Sequence, residues 1–214
     1  MTNIRREVER IIEHDAVIKK GLRRDIINIR GLAKFIQKKI SQNASLDAII
    51  SAIRRYPLKE ESIRFSKIEW LMKNCKLSLK NKIADIALVN DTEIHEIFGK
   101  IPPLIKFNTG EIFRLIVAVQ SIKLIADEKN LDKILNQFPE DKIIKIIKNL
   151  SEIIVTFPKE AEGTPGILSN ISTELALNDI NIVEIMSSIP ELILIVDEKD
   201  ASKCYECLSN FFLK

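Results

Sequence analysis

Two histidines and three cysteines are all the soft or readily titrated side chains that this sequence offers for chemistry. His14 and His95 stand alone and far apart, with nothing nearby in sequence to make either a general base. Cys204-Tyr205-Glu206-Cys207 is a single CxxC without a second pair or a neighbouring histidine, so it lacks the four donors of a structural zinc site. Cys204 also falls on an apolar helical stripe and reads as a core residue. There is no GxxxxGK[ST] loop and no dinucleotide fingerprint. The residues therefore give no catalytic constellation, no metal site and no cofactor. The stretch with ligand chemistry is GTPGIL, that is Gly163, Thr164, Pro165, Gly166, Ile167 and Leu168, together with Asn181. The two glycines let the backbone come close to a ligand, and unpaired N–H groups at a helix start attract a carboxylate. Asn181 offers both a donor and an acceptor, which suits an α-amino and a carboxyl group. The competing reading is a plain strand-to-helix turn that binds nothing.

The elements around this loop follow from period and punctuation. Glu152–Phe157 is β-branched and aromatic and reads as a strand. Thr164 is placed as an N-cap with Pro165 at the first helical position, and Ile167, Leu168, Ile171 and Leu175 recur at helical spacing up to Asn178. Ile180–Ser187 alternates as a strand, the chain turns at Ser188–Pro190, and residues 192–196 form an apolar run expected of a strand covered on both faces. Asp200 then caps a helix whose Ala201, Cys204, Leu208 and Phe211 share a face. Strand, helix, strand, strand, helix is the split β-α-β arrangement of ferredoxin-like folds. GTPGIL followed by DINIVEI resembles an ACT domain, the small module that binds amino acids and regulates their enzymes and genes. The resemblance covers residues 151–214. It implies an amino acid effector and a homo-oligomer formed through ACT domains, because the last helix leaves no fourth strand. Lys76–Lys80 or a partner chain must then cover the sheet edge.

The same order recurs upstream. Leu77–Val89 is extended, Asp91 caps TEIHEI, residues 113–120 and 122–129 read as strands with a turn at Gln120-Ser121, and NLDKILNQF follows as a helix. Setting 124–138 over 194–208 gives six identities in fifteen positions, among them Asp127/Asp197, Glu128/Glu198 and Lys129/Lys199. A shared period of this kind marks a duplicated unit. Residues 77–140 are thus a diverged ACT-like domain in which Asp91 and Glu93 replace the glycine loop and should repel a carboxylate. Residues 140–150 fit a helix or a strand equally.

Charge sets the first segment apart. Residues 1–59 hold 14 Lys+Arg against 6 Asp+Glu, and the remaining 155 hold 19 against 24. Asp15, Asn28 and Ser45 are placed to cap successive helices after an amphipathic Ile4–His14. The last two helices, joined by SQNAS, fit a helix-turn-helix that would present Lys34, Lys38, Arg54 and Arg55 to the phosphates of double-stranded DNA. The same residues also suit a merely solvated face. NIRGLAKFI and DAIISAIRRY resemble the N-terminal region of archaeal proteins described as predicted ACT-containing regulators of amino acid metabolism. Trp70, on a connector helix over 60–76, is expected to pack between head and body. No apolar run reaches membrane-spanning length, and the cysteine usage suits a reducing, cytoplasmic setting. The fold expected is α+β: a helical, helix-turn-helix-like head over 1–59, then two ferredoxin-like ACT-type βαββα(β) domains over 77–140 and 151–214. The function expected is an amino-acid-sensing, non-enzymatic regulator, transcriptional in one reading and a non-catalytic subunit of an amino-acid-pathway enzyme in the other.

Overall fold

Short polar side chains at the expected positions start the helices of the first unit. In the computed structural model, which describes residues 4–40, 44–57 and 62–213, the chain divides into Met1–Ile63 and Arg64–Lys214. Helix α1 spans Ile4–His14 and α2 Ala16–Arg23, with Asp15 accepting from the N–H groups of Val17 and Ile18. Helix α3 (Ile29–Gln37) starts where Asn28 accepts from Gly31, and α4 (Leu46–Arg54) where Ser45 accepts from Ala48. Val8, Ile12, Leu32, Ile36, Ile49 and Ile53 converge into one core. Tyr56 donates its hydroxyl to Glu13, whose other oxygen pairs with Lys19. Burial, then that hydrogen bond, pushes the Tyr56 phenol up to about 12. Most of the expected SQNAS turn, at 41–43, lies outside the described residues, as does the expected 59/60 boundary.

The second unit opens with α5 (Ser62–Lys73), which buries Leu71 and Met72 and leaves Trp70 48% exposed. Then follow β1 (Lys76–Val89), α6 (Thr92–Ile97), 3-10 turns over 98–109, β2 (Phe113–Val117), β3 (Ser121–Asp127) and α7 (Leu131–Leu135). The order repeats as β4 (Ile143–Thr156), α8 (Ile167–Leu177), β5 (Ile182–Ser188), β6 (Glu191–Asp197) and α9 (Ala201–Leu213). Segment 143–150 is therefore strand, in keeping with its β-branched isoleucines. Asp197, not Asp200, holds the turn before α9 by accepting from Lys199, and Phe212 rather than Phe211 completes the buried stripe of that helix.

All strands join one antiparallel sheet in the order β2-β3-β1-β4-β6-β5. The two long strands lie side by side at its centre and each serves both repeats. The first half of β1, Lys76–Asn81, pairs with Thr156–Ser151 of β4, while its second half pairs with β3. Reciprocally, Ile143–Ile147 of β4 pair with Leu88–Asp85 of β1, and Leu150–Thr156 pair with β6. The edge left open in the C-terminal repeat is thus covered by the segment around Lys76–Lys80. At the crossover each strand bulges through one non-glycine residue in the left-handed region, Lys82 (φ 61°) and Asn149 (φ 56°). Each is held from the opposite repeat by a glutamate of the shared DEK motif. Glu198 pairs with the Lys82 ammonium at 2.8 Å, and Glu128 accepts from the Asn149 N–H at 2.5 Å.

Helices cover one face of the sheet and produce two cores. Ala84, Ile86, Ile122, Leu124 and Ile134 fill the first repeat; Ile153, Val155, Leu194, Cys204 and Leu208 fill the second. Among the described residues of this unit no helix packs on the other face, yet it is buried, around Ile83, Ile125, Leu150, Ile193 and Ile195. Curling explains this. Strands β3 and β5 are four positions apart, about 19 Å in a flat sheet, yet Lys123 and Glu184 meet at 2.6 Å. The sheet bends until β3 and β5 approach each other over its own helix-free face.

Candidate functional site

The residues of GTPGIL form the wall of a cavity. After β4, a 3-10 turn (Lys159–Ala161) leads to Gly163 and Gly166, both in the left-handed region at φ 69° and 97°. Gly166 is the N-cap of α8, and the helix begins at Ile167. Thr164 is not the cap: its hydroxyl donates to the Glu160 carbonyl at 3.2 Å, and Pro165 precedes the helix instead of opening it. The left-handed Gly166 is the reason, since it interrupts the helical path between Pro165 and Ile167. No side chain caps α8 and no acidic residue lies in its first turn. The N-terminal amides and the positive end of the helix dipole are therefore left for an anion.

The cavity has a volume of about 720 Å³. Gly163, Thr164, Gly166, Ile167 and Leu168 line it on one side, with Phe157, Ile189, Pro190 and Leu192 on the others. The β5–β6 hairpin faces the loop because β4 and β5, each antiparallel to β6, run parallel and finish at the same end of the sheet. That geometry also separates Asn181 from the rest. It lies at the start of β5, a strand length of about 20 Å from the finish, and lines a second cavity of about 450 Å³ with Asp85, Lys123 and Lys145. Of the residues predicted for one site, five line the apolar cavity, Pro165 lies in the loop without lining it, and Asn181 is elsewhere.

The corresponding corner of the first repeat is built differently. Asp91 caps α6 by accepting from Ile94 at 3.0 Å, and Lys142 pairs with Asp91 at 2.5 Å and with Glu93 at 3.4 Å. The Lys142 ammonium, then the Ile94 N–H, hold the Asp91 carboxyl below its ordinary range. The helix start is already occupied by a carboxylate of the chain itself.

On the helix-free face lie groups that sequence reasoning missed. Asp85 and Glu152 occupy equivalent positions of β1 and β4 and are 2% and 1% exposed. Arg114, reaching across from β2, grips both oxygens of Glu152 at 3.2 Å. Lys123 on β3 bridges Asp85 at 3.0 Å and Glu184 on β5 at 2.6 Å. Burial works against the Lys123 charge, but the bonds to Glu184 and Asp85 outweigh it and hold the ammonium above its ordinary range. The available signal was a charge at one matching position in the middle of each long apolar strand.

In the head, Lys34, Lys38, Arg54 and Arg55 are all exposed, and the Lys39 ammonium stands 4.3 Å over the ring of the part-exposed Phe35. Cys204 is fully buried and Cys75 partly so; burial pushes both thiols up to about 12, which keeps them protonated and poor metal ligands. Among the described residues no group of three His, Cys, Asp or Glu side chains could hold a metal ion, and no helix is long and apolar enough to cross a membrane.

No family model and no curated protein matches the sequence. Solved structures do. Aspartate kinase from Clostridium acetobutylicum, described as an allosteric enzyme, matches with a TM-score of 0.50 at 20% identity over 64% of this chain and 34% of its own. Aspartate kinase from Synechocystis gives 0.51 at 20% identity, over 64% and 27%. The ligand-free regulatory subunit of aspartate kinase from Thermus thermophilus gives 0.50 at 14% identity, over 63% of this chain and 95% of that subunit. The match therefore spans about a third of the length of the Clostridium enzyme. Nearly all of the Thermus subunit is matched by part of this chain, so what is shared is the α+β fold of an aspartate kinase regulatory chain.

Proposed function

We propose that the protein is a non-enzymatic regulator that senses an amino acid through the loop of its C-terminal ACT-type repeat. The observation that carries this reading is the uncapped start of α8 opening, through Gly163 and Gly166, onto a largely apolar cavity of about 720 Å³. The amides receive the ligand carboxylate, and Phe157, Leu168, Ile189 and Leu192 receive an apolar side chain. Ile68 of α5 lies 3.7 Å from where a Cβ on Gly166 would stand, so the loop lies against α5. The basic head is the output: Lys34, Lys38, Arg54 and Arg55 contact the phosphates of double-stranded DNA in a helix-turn-helix arrangement.

A thermal-shift screen of the twenty amino acids tests the sensing step. A ligand at a hundredfold excess over its dissociation constant stabilises the protein by about 2.7 kcal/mol. Gly163→Asp, in open space at a left-handed position that Asp tolerates better than most residues, abolishes that shift by setting a second carboxylate in the site. Unchanged melting with every amino acid, or a shift that survives Gly163→Asp, refutes the reading. For the output, Arg54→Ala/Arg55→Ala lowers affinity on every duplex and flattens its salt dependence by about two counterions.

The second reading is a regulatory subunit of an amino-acid-pathway enzyme, favoured by the fold shared with the Thermus thermophilus subunit. Full-length protein that binds no duplex at low salt, with or without its amino acid, selects this reading over the first.

A further inference from the structure

The two equivalent carboxylates of the helix-free face differ in one respect. Glu152 has both oxygens taken by the bidentate Arg114, which saturates it. Asp85 has one oxygen on Lys123, and its Oδ1 is buried without a hydrogen-bond partner among the described residues. A buried carboxylate oxygen left unpaired is costly, so an open valence in an otherwise satisfied site needs a reason. Asp85 also lines the cavity of about 450 Å³, as do Lys123 and Lys145. By the repeat, Lys123 corresponds to Ile193 and Lys145 to Ser78, so this pair of ammonium groups has no counterpart at the equivalent positions of the other repeat. Asp85, Lys123 and Glu184 together carry one net negative charge, and the exposed Lys145 has no ion pair among the described residues.

We infer that this cavity is a second ligand site, distinct from the GTPGIL cavity, that takes a small zwitterion with a primary ammonium and a carboxylate. The ammonium donates to Asp85 Oδ1, where the net negative charge favours a cation. The carboxylate pairs with Lys145, and the site as a whole stays neutral. The inference does not depend on the GTPGIL reading, because the two cavities share no residue.

The test uses full-length protein and isothermal titration with each of the twenty amino acids. At least one of them should bind in a mode that Lys145→Ala weakens about tenfold or more and that Gly163→Asp leaves unchanged. Asp85→Asn should weaken the same mode. Because it also removes a partner of Lys123 and could unfold the sheet, the exposed Lys145→Ala carries the decision if that variant fails to fold. Binding sensitive to Gly163→Asp alone overturns the inference while sparing the GTPGIL reading; Lys145-sensitive binding alone does the reverse. Should no amino acid bind in a Lys145-sensitive mode to the folded protein, the open valence of Asp85 is met by water and there is no second site.

Discussion

At the scale of single residues, the buried charges define what the fold tolerates. Arg114→Met leaves the carboxylate of Glu152 buried without its partner and should cost about 3 kcal/mol in urea unfolding, the low end for a broken buried pair because Arg114 is itself 28% exposed. Adding Glu152→Met should recover most of that loss, since the apolar pair fits a face already lined by Ile125 and Ile195. Glu111 supplies the pH dependence. Its side chain is buried and accepts from the Lys129 ammonium at 2.8 Å, the Lys106 N–H at 2.8 Å and the Asn130 amide at 2.8 Å. Those bonds, in that order, lower its carboxyl from the ordinary 4.5 to about 2. A depressed carboxylate stabilises the folded state fully above its unfolded pKa and loses that contribution as pH falls through the folded one. Thermal midpoints should therefore decline between about pH 4.5 and pH 2, and Glu111→Gln should flatten that part of the profile.

At the scale of elements, what could be read in the sequence was what is local. Asp15, Asn28, Ser45 and Asp91 cap helices as their positions predict, because a cap is settled within four residues. Thr164 failed by the same measure: the left-handed Gly166 two residues on moved the cap, and a one-residue conformational choice left no periodic trace. The length of β4 was illegible for another reason. Its first half has no partner in its own repeat, and only Asp85–Leu88 across the sheet make it a strand. Asn181 was grouped with GTPGIL for the donor and acceptor of its side chain, whereas the parallel course of β4 and β5 sets them at opposite ends. The shared strands carry their own prediction. A fragment 143–214 lacks the Lys76–Asn81 partner of Ser151–Thr156 and should show no cooperative thermal transition by circular dichroism. Mixing it with a fragment 64–142 should restore one.

At the scale of the whole molecule, the sheet still ends in two strands, β2 and β5, each hydrogen-bonded on one side only. Leu115, Val117 and Ile185 on these strands are 41%, 52% and 36% exposed. Unpaired, apolar edges invite another chain, which supports the proposal of a homo-oligomer formed through residues 77–214. Light scattering at micromolar concentration should show a dimer or larger species, and Leu115→Lys/Val117→Lys should shift it toward monomer. Finally, the sharing of β1 between repeats governs the order in which the protein can be assembled as it is made. Lys76 and Leu77 meet Thr156 and Val155, so the first long strand leaves the ribosome well before its partner exists. The first repeat cannot close its sheet on its own residues, and long-range pairing of this kind makes folding late and concerted. Pulling force on a nascent chain should accordingly show no folding step from the sheet-bearing unit Arg64–Lys214, as distinct from the helical head, until β4 has cleared the exit tunnel.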